Sequence, residues 1–207
     1  MVTSGSLAAA VVSSWTLLLQ PLISSASGWD SIFPTQNTGW LCPDGPCLAN
    51  SSNHYYVVSS SVPNYVEVAI SQAKVYSYDY TDLAMIGQSS NTSLTDVVYT
   101  MDDNLESIGA WALYDCYDPV NSSRCDWAQV YFDNSQMWSN RSNADLLRKV
   151  ACHETGQSVG LVHGIDSSNS TGGSASNTAP WLGCMMRGWP AEVGLGSTNA
   201  AQINDYY

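Results

Sequence analysis

The sequence has little charge, and very little of that charge is positive. Charged residues make up 12% of the 207 positions, about half the usual share, and 6 basic residues stand against 18 acidic ones. A net charge of −12 with so few cations excludes the electrostatic attraction that nucleic acids and anionic membranes require, so we expect neither as a partner. The hydrophobic share of 44% is ordinary, and the length suits one domain with its own core.

Several sequence patterns of assembly or catalysis are also missing. The chain has no heptads and no internal repeat, and no Gly-rich phosphate loop follows a predicted strand, which excludes a coiled coil and that type of nucleotide site. The letters GQSVG at 156–160 match the Gly-x-Ser-x-Gly pattern of serine hydrolases. That pattern requires a strand before the serine, and here a helix precedes it, so Ser158 is a poor candidate for a nucleophile.

The N-terminal region carries no charge before Asp30. An apolar run at 7–23 has the length of a signal-peptide core, and small residues follow it, although no Lys or Arg precedes it. The sequence therefore predicts a secretion signal at 1–26, with a retained membrane anchor as the alternative. We expect a secreted, monomeric protein that meets a membrane only if this segment is retained.

Six cysteines fall along the chain as near neighbours or plausible partners. They are Cys42 and Cys47, Cys116 and Cys125, and Cys152 and Cys184. Six cysteines allow many pairings, so the spacing leaves the connectivity open. The first two pairs do not match a zinc ribbon or knuckle, and disulfides formed in an oxidising compartment are the better prediction.

The rest of the chain predicts an α+β domain at 61–207 behind an irregular leader at 27–60, which is rich in Ser, Asn, Gly and Pro. Helices are expected at 62–77, at 142–160 with Ser142 or Asn143 as the cap and Gly160 as the stop, and near the C-terminus with Ser197 as the cap. Strands are expected at 94–101, 109–115 and 127–133, and a polar loop at 165–180.

The candidate chemistry lies in the long helix and the turn after it, in the letters HETGQSVGLVH. His153 and Gln157 are four residues apart, so they project from one face of the helix, the spacing by which a helix offers two ligands to one metal. Glu154 is placed to act as a general base toward water activated by that metal. Gly160 permits a sharp turn that can bring His163 back as a further ligand.

These residues, together with the letters GCMMRG that follow, resemble the metzincin zinc metallopeptidases, and among them the matrixin-like secreted proteins of actinobacterial type. The similarity covers about 65–207. It implies a twisted, mostly parallel sheet with an antiparallel edge strand, packed on an active-site helix and a C-terminal helix. It also implies a zinc ion, a peptide or protein substrate, and a methionine turn at Met185, with Met186 as second choice.

The resemblance implies three further features. A disulfide between Cys152 and Cys184 would join the active-site helix to the methionine turn. The strand at 127–133 would be the edge strand that pairs with an extended substrate, and residues 187–194 would wall a pocket.

Gln157 stands where the motif has its second histidine. Zinc prefers imidazole to a neutral amide, so its affinity is expected to fall, and Asp166 or His54 are weaker candidates for a substitute ligand. A surface position is the simpler interpretation of both. A structural calcium ion at Asp102, Asp103 and Glu106 is a further expectation from the resemblance, although solvated acidic groups explain these residues equally simply.

Three hypotheses follow for the function. The first is a secreted zinc endopeptidase with Glu154 as base, weakened by Gln157. The second is a catalytically inactive protein of the same fold that binds a peptide or protein, although such a protein has no chemical need for Glu154. The third is a cell-surface structural or adhesion module, favoured by the Ser-, Asn- and aromatic-rich composition.

Overall fold

A computed structural model describes most of the domain. It covers residues 29–30, 42, 45–164, 168–169, 176, 178–187 and 192–207. The predicted signal segment at 1–26, most of the polar loop at 165–180 and Asp166 lie outside the described residues.

A mostly parallel sheet of six strands forms the centre of the fold. The strands of the structure are β1 (Trp29–Asp30), β2 (Leu48–Ala49), β3 (Asn53–Val58), β4 (Ala84–Gln88), β5 (Val97–Asp102), β6 (Ala112–Pro119), β7 (Arg124–Asp133) and β8 (Ser168–Asn169). The large sheet has the order β2-β7-β5-β3-β4, and β6 pairs with β7 as its antiparallel member. β1 and β8 form a separate antiparallel pair. The α+β class with a mostly parallel sheet is thus confirmed.

Three of the four described α-helices lie where the apolar spacing predicts helices, and the short second one is not predicted. They are α1 (Asn64–Ala73), which continues as a π-helical segment (Lys74–Tyr78), α2 (Asn134–Ser139), α3 (Ala144–Ser158) and α4 (Ser197–Tyr206). The prediction that Ser197 caps the last helix is wrong. Gly196 holds the N-cap position with extended backbone angles, and Ser197 is already the first helical residue.

Two other expectations differ from the structure. The leader predicted as irregular contains β3, which pairs with β4 on one side and β5 on the other. The strand at 127–133 is not an edge, because β7 is bonded to both β5 and β6. Val130 and Phe132 are fully buried, as is typical of a strand covered on both sides. Among the described residues, β6 has β7 as its single partner, just as β2 pairs with β7 alone and β4 with β3 alone.

α3 is fixed on the sheet by both apolar and polar contacts. Asn143 caps it by accepting a hydrogen bond from the Leu146 amide, and Gly160 follows it with a φ of 91°, a left-handed conformation that suits glycine. The Tyr78 hydroxyl donates to the Cys152 carbonyl at 2.7 Å. These directional bonds set the rotation of the helix about its axis, and therefore decide which side chains face away from the sheet.

Three disulfides link Cys42 to Cys47, Cys116 to Cys125, and Cys152 to Cys184. The second joins β6 to β7, and the third joins α3 to the segment that contains Met185. Disulfides of this number are typical of oxidising, extracellular-type environments. Within the described residues, no helix has both the length and the apolar character needed to cross a membrane.

Candidate metal centre

Three side chains from the predicted motif converge at one point. We call His153, Gln157 and His163 the outer cluster. Nε2 of His153 lies 2.9 Å from Nε2 of His163, and the Gln157 amide lies 3.2 Å from the first and 3.3 Å from the second. The helix supplies two of these groups from successive turns, and the left-handed Gly160 returns the chain so that the third reaches them.

The protonation of His153 is set by a carbonyl group. Its Nδ1 lies 2.9 Å from the Cys184 oxygen, and since a carbonyl only accepts hydrogen bonds, Nδ1 carries the proton and Nε2 keeps its lone pair. Burial, followed by the neighbouring His163, lowers the pKa of His153 to about 3. The imidazole is therefore neutral at neutral pH, which is the form that binds metals.

The separations within the outer cluster fit a zinc ion. Ligand atoms that lie about 2.0–2.1 Å from a tetrahedral zinc stand about 3.3 Å from each other. The three distances in the cluster are within a few tenths of an ångström of that value. Rotation of the Gln157 amide exchanges its nitrogen and oxygen, and the oxygen is the atom that can act as a ligand. The residues present therefore fit two imidazoles and one weaker amide ligand.

Glu154 lies beside the outer cluster with its carboxyl group buried. The backbone amide of Tyr114, in β6, hydrogen-bonds to this carboxyl group and opposes the effect of burial, which raises its pKa to about 8. Among the described residues, its Oε2 atom has no hydrogen-bond partner. A buried carboxyl with one free oxygen and a pKa near neutrality is suited to accept and return a proton.

Met185 lies beneath the helix that carries the outer cluster. It is fully buried, and a Cβ added to Gly156 would come within 2.4 Å of its Sδ atom. Gly156 thus leaves room for the methionine, a requirement that a glycine in the middle of a helix can signal in the sequence. Met185 packs against Gly156 of α3 and the buried Met186 follows it, and the role of Met185 in a methionine turn stays a prediction.

The weaker candidates for metal ligands have other surroundings. The interpretation of His54 as a surface histidine is wrong, since it is 1% exposed and its Nε2 lies 3.0 Å from the Ser158 hydroxyl. Its Nδ1 lies 4.0 Å from Asp96, whose carboxylate accepts a hydrogen bond from the Tyr55 amide. We call His54, Asp96 and Ser158 the inner cluster. It lies between β3 and the last turn of α3, away from the outer cluster.

The acidic residues suggested for calcium make local hydrogen bonds. Asp102 accepts from the Asn104 amide at 2.7 Å, Asp103 from the Asn134 side chain at 3.0 Å, and Glu106 from the Ser135 hydroxyl at 3.4 Å. These bonds give each acid a structural use in the turn after β5, and calcium binding there stays a prediction.

A different grouping of possible ligands occurs at the cysteines. The sulfurs of Cys42, Cys47 and Cys116 lie within 4.8 Å of one another, which could hold a metal ion. All three belong to disulfides, and metal binding requires the thiolate. In the oxidised protein we therefore assign these sulfurs to cross-links.

Two basic residues lie near the outer cluster, and the first of them, Lys149, is not singled out from the sequence. Lys149 and Arg187 line a cavity that also contacts His153 and Glu154. Lys149 is one helical turn ahead of His153, on the same face of α3, so the four-residue spacing that links His153 to Gln157 could have identified it. Arg187 begins the segment 187–194 that the resemblance implies as a pocket wall, although the resemblance gives its charge no role there.

The sequence matches no protein-family model and no curated protein. The similarity to metzincins is therefore carried by the motif residues and their spacing, and not by overall sequence similarity.

Proposed function

We propose that this protein is a secreted, zinc-dependent endopeptidase of the metzincin type, in which Gln157 replaces the second histidine. The observation that carries the proposal is the convergence of the three side chains of the outer cluster within 3.3 Å, next to the buried Glu154. Zinc, when bound, would polarise the peptide carbonyl and make a water molecule more acidic.

The side chains of the protein have distinct tasks in this proposal. His153, held by the Cys184 carbonyl, and His163 would hold the metal firmly, and Gln157 would complete the set less strongly. Glu154 accepts a proton from the attacking water at its free Oε2 and delivers it to the departing amine. Met185 supports the helix from below, and the Cys152–Cys184 disulfide fixes that support to the helix.

The sheet supports the binding of an extended peptide. β6 begins next to the cavity, at Ala112, and pairs with β7 alone among the described strands. A strand with one open edge can add an extended peptide through backbone hydrogen bonds. In this proposal β6, and not the strand at 127–133, is therefore the strand that pairs with an extended substrate. Leu113 and Tyr117 on β6 are exposed and can contact that substrate.

The proposal is tested by zinc content and peptide cleavage in the purified secreted protein. We expect about one zinc per chain by elemental analysis, reduced to background in His163→Ala. Glu154→Gln should retain the zinc but lose cleavage of a casein or peptide substrate by at least about a hundredfold. Absence of zinc under a micromolar excess, or cleavage unchanged in Glu154→Gln, contradicts the proposal.

Gln157 itself favours a second candidate, an inactive protein that keeps the fold to bind a peptide or protein. An amide is a poor zinc ligand, and loss of metal would leave the cavity and the open edge of β6 available for binding. A protein that binds peptides without zinc and without cleavage would support this second function.

A further inference from the structure

One side of the outer cluster opens into a cavity of about 560 Å³. This volume lies in the range of sites that hold a small ligand. The walls come from α3, from residues 108–112 ahead of β6, and from Met186 and Arg187 after the methionine turn. Because His153 and Glu154 also line it, a group held here lies next to the proposed reacting centre.

The cavity concentrates positive charge in an acidic protein. The chain has 6 basic residues and a net charge of −12, yet Lys149 and Arg187 both line this one cavity. Glu154 is the acidic residue among those that line it. A ligand in the cavity therefore meets two cations, which the overall charge of the protein would not suggest.

Lys149 is held in place in the wall. It is 8% exposed, and its Nζ donates a hydrogen bond to the Met186 carbonyl at 3.1 Å. Burial lowers the pKa of Lys149. The hydrogen bond fixes the ammonium group in the wall, where a carboxylate in the cavity would be a charge-assisted acceptor.

We propose that this cavity selects a carboxylate carried by the peptide substrate, an inference that rests on the peptidase function proposed above. The apolar side chains of Ile108, Leu146 and Val150 supply wall for the methylene groups of a glutamate. The guanidinium of Arg187 and the ammonium of Lys149 then recognise the carboxylate by charge-assisted hydrogen bonds. A lysine in the same place would be repelled, and a glutamine would lose the charge.

The test measures binding and cleavage of matched peptides by the full secreted protein loaded with zinc. The peptides are amidated at the C-terminus and differ by Glu, Gln or Lys at one internal position. A fourth peptide has Gln at that position and a free C-terminal carboxylate. Binding is measured by fluorescence anisotropy with the Glu154→Gln protein, and cleavage with the unchanged protein. We expect the Glu peptide to bind at least about tenfold more tightly than the Gln peptide, with a ratio that falls as salt increases.

Three variants assign this preference to the cavity. Arg187→Gln changes an exposed side chain and should reduce the Glu-to-Gln ratio by several-fold, and Lys149→Met should bring it close to one. Arg148→Gln is the matched control, since it removes one positive charge from the neighbouring position, where Arg148 pairs with Asp145 and does not line the cavity. Its ratio should be unchanged.

The outcomes separate this inference from the proposed function. A Glu preference that is reduced in Arg187→Gln, lost in Lys149→Met and kept in Arg148→Gln supports the inference, even if no peptide is cleaved and the peptidase proposal fails. Cleavage of all peptides with equal binding of Glu and Gln overturns the inference and leaves the peptidase proposal in place. Tight binding of the free-acid Gln peptide assigns the carboxylate to the end of the peptide chain, and tight binding of the amidated Glu peptide assigns it to the side chain.

Discussion

The outer and inner clusters each contain a histidine beside α3, and the two histidines differ in exposure to solvent. In the outer cluster, His153 and His163 are partly exposed, their Nε2 atoms face each other, and a cavity adjoins His153. In the inner cluster, His54 and Ser158 are buried and hydrogen-bonded to each other. Both contain residue types used in catalysis, but the cavity that reaches His153 is not lined by any residue of the inner cluster.

The comparison shows that side chains of catalytic type can act on a substrate only where the substrate can reach them. Ser158, His54 and Asp96 are the residue types of a hydrolase triad, yet each is at most 5% exposed. The Ser158 hydroxyl donates to the Thr155 carbonyl at 2.8 Å, as a hydroxyl at the end of a helix commonly does. The inner cluster therefore anchors α3 to β3, and the outer cluster is the one that can bind a ligand.

Removal of the Cys152–Cys184 disulfide should have the largest effect, and it should damage the outer cluster. Replacing both cysteines by serine opens a loop with a sequence separation of 32 and should lower the free energy of unfolding by about 3–4 kcal/mol. It also releases the carbonyl that orients His153, so zinc affinity should fall about tenfold or more. Chemical denaturation and zinc titration measure the two effects.

The Cys42–Cys47 disulfide provides the matched control. Its sequence separation is 5, so its removal should cost about 2 kcal/mol and leave zinc affinity unchanged. Equal loss of zinc affinity in both double variants would mean that the Cys184 carbonyl has no special role in the outer cluster.

Protonation of His54 in the inner cluster should reduce the free energy of unfolding in acid. Burial lowers the pKa of His54 from 6.5 to about 4, so its contribution to stability is present above pH 6.5 and is lost as the pH falls through 4. Over that range it should remove up to about 3 kcal/mol. Asp96 opposes this, because burial raises its pKa to about 6 and its contribution is lost as the pH rises through that value. His54→Gln keeps the Asp96 term without the opposing His54 term, so its free energy of unfolding should rise as the pH falls from 7 to 4.

Urea denaturation of both proteins at several pH values from 7 to 4 measures the contribution of His54 together with its coupling to Asp96. The difference in the free energy of unfolding between the native protein and His54→Gln should shrink as the pH falls. His153 titrates in both proteins and does not affect the difference to first order, whereas Asp96 lies 4.0 Å from His54 and is coupled to it, so the difference reports the pair. If the difference in unfolding free energy stayed constant across this range, His54 would become charged in the folded protein as readily as in the unfolded chain.

The sequence predicts the outer cluster far better than the inner one, for a physical reason. Helical spacing and one glycine bring His153, Gln157 and His163 together, and this local geometry can be predicted from the spacing of the residues in the sequence. His54 reaches Ser158 across a sequence separation of 104 through the pairing order of the sheet, which spacing does not encode. The same limit explains why β7 was wrongly predicted to be an edge strand. Its apolar run predicts a strand, but the partners of a strand depend on the whole sheet.

Replacing Gln157 by histidine should strengthen the outer cluster. Zinc prefers imidazole to an amide, and Gln157 already lies 3.2–3.3 Å from the two histidine nitrogens, so a third imidazole can meet the metal. We expect zinc affinity to rise by at least about tenfold, measured by competition with a chelator. Affinity that stays unchanged would mean that position 157 does not face the metal.

Ser158→Ala should have the smallest effect, and it should leave the outer cluster unaffected. The variant removes the hydroxyl next to Nε2 of His54 and leaves that buried nitrogen without this partner, which should cost about 1–2 kcal/mol of unfolding free energy. Zinc content and peptide cleavage should match those of the native protein, because the hydroxyl points to the sheet. Loss of cleavage in a stably folded, zinc-loaded Ser158→Ala protein would reverse the comparison, since the inner cluster would then take part in the reaction.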